Sequence, residues 1–109
     1  MPKKTDSLQG TLDLLILTTL ERGPNHGFGI TVHIQSVSEG FLQVEEGSLY
    51  PALRRLERDK FIKGEWKITD NGRRARYYRL TPSGKNRLLQ ISDNWAALTR
   101  SVAKLLRFV

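Results

Sequence analysis

The 109-residue sequence contains no cysteine, and this absence excludes several kinds of site at once. Without thiols the chain forms no disulfide, no thiolate zinc site and no cysteine nucleophile. It also lacks an apolar run of the ~18 residues that a membrane-spanning helix needs, since residues 12–20 are interrupted by one aspartate and two threonines. The N-terminal residues Met-Pro-Lys-Lys-Thr-Asp lack the apolar segment of a signal peptide. We therefore expect a cytoplasmic protein without a membrane partner.

Groups of side chains typical of enzyme active sites and metal centres are missing as well. The sequence has no glycine-rich phosphate loop and no grouping of Ser, His and Asp. His26 and His33 lie seven positions apart, but no third ligand stands at a suitable spacing. Glu45 and Glu46 lie where a helix is predicted to start, and acidic side chains there suit the helix dipole. We therefore expect no catalytic residue, no cofactor and no metal ion, and a protein that is not an enzyme.

Positive charge is abundant and unevenly distributed. Eighteen Lys and Arg residues against eleven Asp and Glu give a formal net charge of +7. Twelve of the basic residues but only four of the acidic ones lie between Arg54 and Arg87. Surfaces that bind a polyanion show such a concentration, because each neutralised phosphate releases counterions. A solvated basic face that aids solubility has the same charge, so charge alone leaves both interpretations open.

The first half of the chain has the pattern of three helices. Apolar residues at helical spacing predict a first helix over about residues 8–22, which Gly23 and Pro24 end. A second helix is predicted over about residues 25–38. The third is predicted to begin at Ser48, a favourable N-cap residue, with Pro51 in its first turn, where a missing N–H costs nothing.

The predicted third helix has two contrasting faces. At ~100° per residue, Leu49, Leu53 and Leu56 cluster within one narrow arc. The opposite side carries Ser48, Tyr50, Pro51, Arg54, Arg55 and Arg58. This pattern predicts a helix that packs on the core through its leucines and presents a row of guanidinium groups to solvent.

A β-hairpin is predicted after the third helix. Residues 65–69 and 76–80 alternate apolar and polar side chains, and an Asp-Asn-Gly sequence suited to a turn lies between them. The side chains expected to point inward are Trp66, Ile68, Tyr78 and Leu80. The basic side chains at the tip are Arg73, Arg74 and Arg76. Three helices followed by a basic-tipped hairpin predict a winged helix-turn-helix, a mainly α fold with a small β-hairpin (α+β).

A fourth helix is predicted from Thr81 and Pro82 to about residue 107. Its apolar residues are spaced alternately by three and four positions, which is the heptad pattern of a coiled coil. We call these residues the seam: Leu88, Ile91, Trp95, Leu98, Val102 and Leu105. A second copy of the chain is the natural partner for the seam. Packing on the first helix of the same chain is the alternative, and both contacts can exist together.

The sequence resembles the PadR family of bacterial transcriptional regulators over nearly its whole length. Residues 47–57 read Gly-Ser-Leu-Tyr-Pro-Ala-Leu-Arg-Arg-Leu-Glu, and residues 73–81 read Arg-Arg-Ala-Arg-Tyr-Tyr-Arg-Leu-Thr. The Leu-Tyr-Pro-x-Leu and Tyr-Tyr-x-Leu-Thr segments carry the resemblance, with Gly84 after them. The resemblance implies a homodimeric winged-helix repressor of the compact branch, with a single C-terminal dimerisation helix. Residues 1–81 would form the DNA-binding domain and residues 82–109 the dimerisation helix, within one compact unit.

Double-stranded DNA is therefore the expected partner. In a winged helix-turn-helix the third helix enters the major groove and the wing lies along the backbone. We expect a homodimer to place its two third helices in successive major grooves of a pseudo-palindromic operator. The residues expected to contact DNA are Ser48, Tyr50, Pro51, Arg54, Arg55, Arg58, Lys63, Arg73, Arg74 and Arg76. A winged helix used to bind protein or RNA, without operator recognition, is the alternative function.

Trp95 is a second functional candidate because it lies in the middle of the seam. In the family that this sequence resembles, an aromatic residue in this helix can line a pocket for planar ligands. The resemblance therefore implies a small aromatic effector that binds near Trp95 and releases the DNA. The alternative is a tryptophan that simply fills the dimer core.

Overall fold

The computed structural model describes the chain from residue 4 to residue 107, with side chains from residue 11 onwards. Within this part the chain forms four helices and one three-stranded sheet. The elements are α1 (Lys4–Glu21), β1 (Asn25–His26), α2 (Gly27–Val37), α3 (Glu46–Arg58), β2 (Ile62–Ile68), β3 (Arg74–Leu80) and α4 (Pro82–Arg107). The sheet is antiparallel, with strand order β1-β3-β2. The expected α+β class with a small hairpin is confirmed.

A hydrophobic core lies between the first three helices and the base of the hairpin. Ile16 and Leu17 of α1 are fully buried there, as is Ile30 of α2. The predicted leucine face of α3 is confirmed, because Leu49 and Leu53 have no exposed surface and Leu56 has 2%. Full burial of a side chain of this size stabilises the fold by about 1.5–3 kcal/mol, so this face fixes the orientation of α3.

The start of α3 differs from the prediction. The helix begins at Glu46, with Glu45 as its N-cap, and the side chain of Glu45 makes no capping hydrogen bond. Ser48 lies inside the first turn and its backbone N–H bonds to the carbonyl of Glu45, so its prediction as the N-cap is wrong. Pro51 lies beyond the first turn, inside the helix, where it lacks the N–H that would bond to the carbonyl of Gly47. The acidic pair at residues 45–46, which suits the helix dipole, marks this start better than the serine.

The predicted start of the second helix is also wrong, because Asn25 and His26 form a short strand. They pair with Tyr78 and Tyr77 of β3. The helix α2 begins after them, and Nδ1 of His26 accepts a hydrogen bond from the backbone N–H of Gly29 at 3.2 Å. The sequence pattern did not predict β1, because a strand of two residues is too short to show an alternation of apolar and polar side chains.

The hairpin is longer than predicted and only its base reaches the core. The turn forms as expected, with Gly72 at φ +82°, a backbone conformation that glycine adopts without strain. Tyr78 is 6% exposed, but Trp66 is 58% and Ile68 73% exposed. The prediction that these two side chains point into the core is therefore wrong, because the strands extend past the helices that would cover them. We call the hairpin of β2 and β3 the wing.

The seam on α4 divides into two parts. Leu88 is buried and Ile91 packs against the same core, where α4 lies against α1. From Trp95 onwards the seam residues are exposed, since this half of α4 extends away from the domain in a molecule 55 Å long and 29 Å wide. The alternative of packing within the chain is therefore confirmed for Leu88 and Ile91. Among the described helices, none has the length and apolar character needed to cross a membrane.

Candidate nucleic-acid interface

The outer face of α3 presents polar and basic side chains to solvent. Ser48, Pro51, Arg54 and Arg58 are exposed. Tyr50 is 40% exposed, and its ring lies close to Gly27 at the start of α2. If Gly27 carried a Cβ atom, that atom would lie 2.9 Å from the hydroxyl oxygen of Tyr50. Because the leucines on the opposite face are buried, this exposed face has a fixed direction relative to the domain.

Arg55 does not join that face, and its prediction as an outward-facing arginine is wrong. Its guanidinium donates a hydrogen bond to the carboxylate of Asp13 in α1. The two side chains are 25% and 11% exposed. The sequence carried a signal for this contact, because Asp13 interrupts the apolar run of the first helix and a carboxylate buried there needs a partner. The outward-facing arginines of α3 are therefore Arg54 and Arg58.

Two opposing effects act on the pKa of Asp13. Burial raises this pKa above its ordinary value, and this is the larger effect. The guanidinium of Arg55 opposes it by attraction and by its hydrogen bond, while Arg87 lowers the pKa and Asp59 raises it to smaller extents. The carboxylate of Asp13 is thus attracted by basic side chains of both α3 and α4.

The three arginines predicted at the tip of the wing have different surroundings. Arg73 and Arg74 are exposed. Arg76 is held by Glu57 of α3, whose Oε2 lies 2.6 Å from its Nη2, and its side chain is 33% exposed. Hydrogen bonding to Glu57 raises the pKa of Arg76 above its ordinary value. Sequence reasoning missed this pair, because the two residues are 19 positions apart and belong to different elements.

The register of the hairpin separates its basic residues onto two faces. Trp66 pairs with Arg76 and Ile68 with Arg74, whereas Lys63 pairs with Arg79. Because successive side chains of a strand alternate between faces, Lys63 lies on the face opposite to Trp66. On the first face, the guanidinium of Arg74 lies 4.9 Å from the centre of the Trp66 ring. Lys63 is exposed but is not brought together with these arginines.

The second half of α4 carries an exposed apolar stripe. Trp95 and Val102 are each 44% exposed, Leu98 46% and Leu105 71%. A shallow apolar groove of about 350 Å³ lies along this stripe. Trp95 forms part of its lining together with Leu98 and Val102. No cluster of three or more possible metal ligands occurs in the described part of the chain.

Comparison with known proteins gives consistent matches. Residues 16–90 match the model of the family described as "Transcriptional regulator PadR-like family". The transcriptional regulator Rv3488 of Mycobacterium tuberculosis is 38% identical over 77 residues, which cover 71% of this chain and 68% of that protein. The structure of a transcriptional regulator from Clostridium thermocellum superposes with a TM-score of 0.82 at 29% identity, covering 91% of this chain and 96% of that one. A PadR-like regulator from Bacillus cereus gives a TM-score of 0.76, also at 29% identity, covering 91% and 94%.

Proposed function

The chain belongs to the PadR-like family of transcriptional regulators, and we propose that it acts as a homodimeric repressor that binds a pseudo-palindromic operator and is released by a small aromatic effector. Membership of the family makes it a DNA-binding transcriptional regulator. It also confirms the expectation that the chain is not an enzyme, since the family consists of regulators. The operator, the repressor role, the dimer and the effector are the proposal.

The observation that carries the proposal is the two-sided character of α3. Its leucines are buried, and its opposite face exposes Ser48, Tyr50, Pro51, Arg54 and Arg58. In this fold the third helix enters the major groove, where an arginine can bond to both O6 and N7 of a guanine. Arg54 is assigned to base edges, whereas Arg58, further along the helix, is assigned to the DNA backbone.

The wing supplies the sequence-independent part of the contact. Arg73 and Arg74 are exposed at its tip, where they meet phosphates or enter the minor groove. Lys63, on the other face, adds to the general attraction for the duplex. Arg55 and Arg76 are left out of the contact surface, because each is paired with a carboxylate of its own chain.

The exposed part of the seam supports the dimer. An apolar stripe at heptad spacing that begins at Trp95 has no partner within the described chain, and a second copy covers it through the coiled-coil packing that this spacing favours. Residues 1–81 then form the DNA-binding domain and residues 82–109 the dimerisation helix, of which residues 108 and 109 lie outside the described part. A two-fold dimer places the two α3 helices about 34 Å apart, one turn of DNA.

The apolar groove at Trp95 supports the effector. A planar ligand that stacks on the indole of Trp95 would compete with, or alter, the packing of the seam against the seam of the second copy. Quenching of tryptophan fluorescence by phenolic or cationic aromatic compounds, together with release of DNA at the same concentrations, is the expected result. Unchanged fluorescence across such a panel would leave Trp95 as a residue that fills the dimer core.

Selection of bound sequences from a random pool of duplexes tests the proposal most directly. The expected product is a two-fold symmetric sequence whose half-sites are about one helical turn apart. The logarithm of the binding constant should fall steeply with the logarithm of salt concentration, since phosphate contacts release counterions. Failure to enrich any duplex, with a shallow dependence on salt, would favour the alternative of a protein- or RNA-binding winged helix.

A further inference from the structure

We propose that Glu57 and Arg76 are positioning residues that fix the wing against α3, and that Arg74, supported on the ring of Trp66, is the side chain they present to DNA. This inference rests on the proposed function, because it assigns roles within the proposed DNA contact. It separates Arg76, which has a structural role, from Arg74, which binds DNA.

One carboxylate oxygen joins α3 to both strands of the wing. Oε2 of Glu57 accepts a hydrogen bond from Nη2 of Arg76 in β3 at 2.6 Å. The same oxygen accepts a hydrogen bond from the backbone N–H of Gly64 in β2 at 3.2 Å. The side chains of Glu57 and Arg76 are only 30% and 33% exposed, so salt screens this pair less than a pair on the open surface. The angle between the wing and α3 therefore depends on Glu57.

The guanidinium of Arg76 is enclosed by the wing itself. A Cβ at Gly64 would lie 2.6 Å from Nε of Arg76, so the guanidinium lies across β2 in space that only a glycine leaves open. The ring centres of Trp66 and Tyr78 are 5.7 Å and 6.0 Å from its central carbon. A guanidinium that is paired with a carboxylate and flanked by two rings is poorly placed to reach a phosphate.

Trp66 connects the fixed arginine to the exposed one. Arg74 and Arg76 are two positions apart on β3, and both lie near the ring of Trp66 on the same face of the wing, with Arg74 at 4.9 Å from its centre. Within the part of the chain that the structure describes, Arg74 forms no ion pair. An arginine held on an aromatic face loses less conformational entropy when it binds than one that moves freely. Glu57 thus acts on DNA through Arg76, Trp66 and then Arg74.

The direction in which one substitution changes DNA affinity separates this role from simple electrostatics. Glu57→Gln removes a negative charge close to a polyanion, which by charge alone strengthens binding. The positioning role predicts the opposite, a loss of about tenfold in affinity for the selected duplex. The matched control is Glu65→Gln, which removes the same charge from the other face of the wing, where Glu65 pairs weakly with Arg79 at 3.6 Å. The control should bind as tightly as the parent chain or slightly more tightly.

A set of double variants tests the order of action. Arg76→Gln alone should reduce the affinity for the selected duplex about as much as Glu57→Gln does. The two changes together should reduce it no more than either change alone. In an Arg74→Gln chain, Glu57→Gln should cause no further loss of affinity. The proposal would be overturned if the fold-losses of affinity from Glu57→Gln and Arg76→Gln multiplied in the double variant. A further loss from Glu57→Gln in the Arg74→Gln chain would overturn it as well. Unfolding curves of every variant show whether the measured chains are folded.

Fluorescence without DNA tests the geometry independently of the proposed function. In a Trp95→Phe chain, used for this measurement only, Trp66 is the single remaining tryptophan. Its emission should shift with Glu57→Gln and not with Glu65→Gln, because only the first change releases a guanidinium from its ring. Unchanged emission overturns the positioning role even if DNA binds. A shift in a chain that binds no duplex would retain the geometry while the proposed function fails.

Discussion

Arg55 of α3 donates a hydrogen bond to the buried carboxylate of Asp13 in α1, 42 positions earlier in the sequence. The contact links α3 to the helix on which α4 also packs. It therefore lies between the surface proposed to read DNA and the helix proposed to form the dimer. Arg55 was predicted to contact DNA, and its pair with Asp13 makes it one of the supports that orient α3.

Removing Asp13 alone should destabilise the fold. Asp13→Ala leaves the largely covered guanidinium of Arg55 without its acceptor, and we expect the free energy of unfolding to fall by about 1–3 kcal/mol. Asp13→Leu combined with Arg55→Met should cost less than the sum of the single changes, because neither charge is then left unpaired. Asp59→Ala is the control, since its pair with the exposed Arg58 is worth at most ~1 kcal/mol. Urea unfolding of Asp13→Ala, of Asp59→Ala, and of the double variant with its two single changes measures this, and equal losses for Asp13→Ala and Asp59→Ala would contradict it.

The titration of Asp13 should make its contribution to stability larger in acid. Burial raises its pKa in the folded protein above the unfolded value near 3.8, so the folded state binds the proton more readily than the unfolded state. This contribution is fully present below the unfolded pKa and is lost as the pH rises through the folded pKa. The free energy of unfolding of the parent chain, minus that of Asp13→Asn, should therefore be larger at pH 4 than at pH 7. A difference that grows towards pH 7 would mean that attraction to Arg55 outweighs burial.

Arg54 and Arg74 should differ in what they contribute to DNA binding. Arg54→Ala should reduce discrimination at one base pair by about 1–3 kcal/mol, because a base contact is lost. Arg74→Ala should weaken binding to all duplexes alike and reduce the salt slope by about 1. Arg100→Ala, an exposed arginine on α4 opposite the seam, should leave both properties unchanged. Titrations of cognate and mismatched duplexes at several salt concentrations measure the difference, and two indistinguishable variants would refute it.

Much of the fold follows from local pattern, whereas the roles of individual charges do not. The leucines of α3 were predictable because helical periodicity alone places Leu49, Leu53 and Leu56 on one face. The direction of Arg55 depends on Asp13, which lies in a distant element, so helical periodicity placed this arginine on the wrong face. The same holds for Arg76, which is held by Glu57.

The wing shows a second limit of sequence reasoning. Alternation predicted correctly that Trp66 and Ile68 share a face with Tyr78, but it does not show where the core ends. Of these three side chains, only Tyr78 lies close enough to the helices to be buried. The exposed ring of Trp66 is instead covered in part by guanidinium groups, an arrangement that follows from the register of the hairpin.

Gly84 should be irreplaceable for a packing reason. A Cβ at this position would overlap the backbone carbonyl oxygen of Phe61, and that carbonyl cannot move freely because it accepts hydrogen bonds from the backbone and side chain of Thr81. Gly84→Ala should therefore lower the free energy of unfolding by about 1–3 kcal/mol or more. Gly47→Ala is the matched control, because nothing lies within 4 Å of its Cβ position. Because Gly47 lies in α3, Gly47→Ala should stabilise the fold by about 0.5–1 kcal/mol. Thermal unfolding of both variants compares them, and a neutral Gly84→Ala would show that α4 can shift away from Phe61.

Charge placed on the exposed seam should separate the two copies without unfolding either. Leu98 is 46% exposed in the isolated chain, so Leu98→Lys costs little within the monomer but places an ammonium group in the proposed interface. We expect sedimentation equilibrium to show a dimer for the parent chain and a monomer for Leu98→Lys, with DNA affinity reduced because only one half-site is bound at a time. Leu89→Lys is the control on the same helix, since Leu89 is 60% exposed and lies off the heptad positions. If Leu98→Lys stays dimeric, or if the parent chain is itself monomeric at working concentrations, then α4 does not join two copies and the spacing of two recognition helices on one duplex has no structural basis.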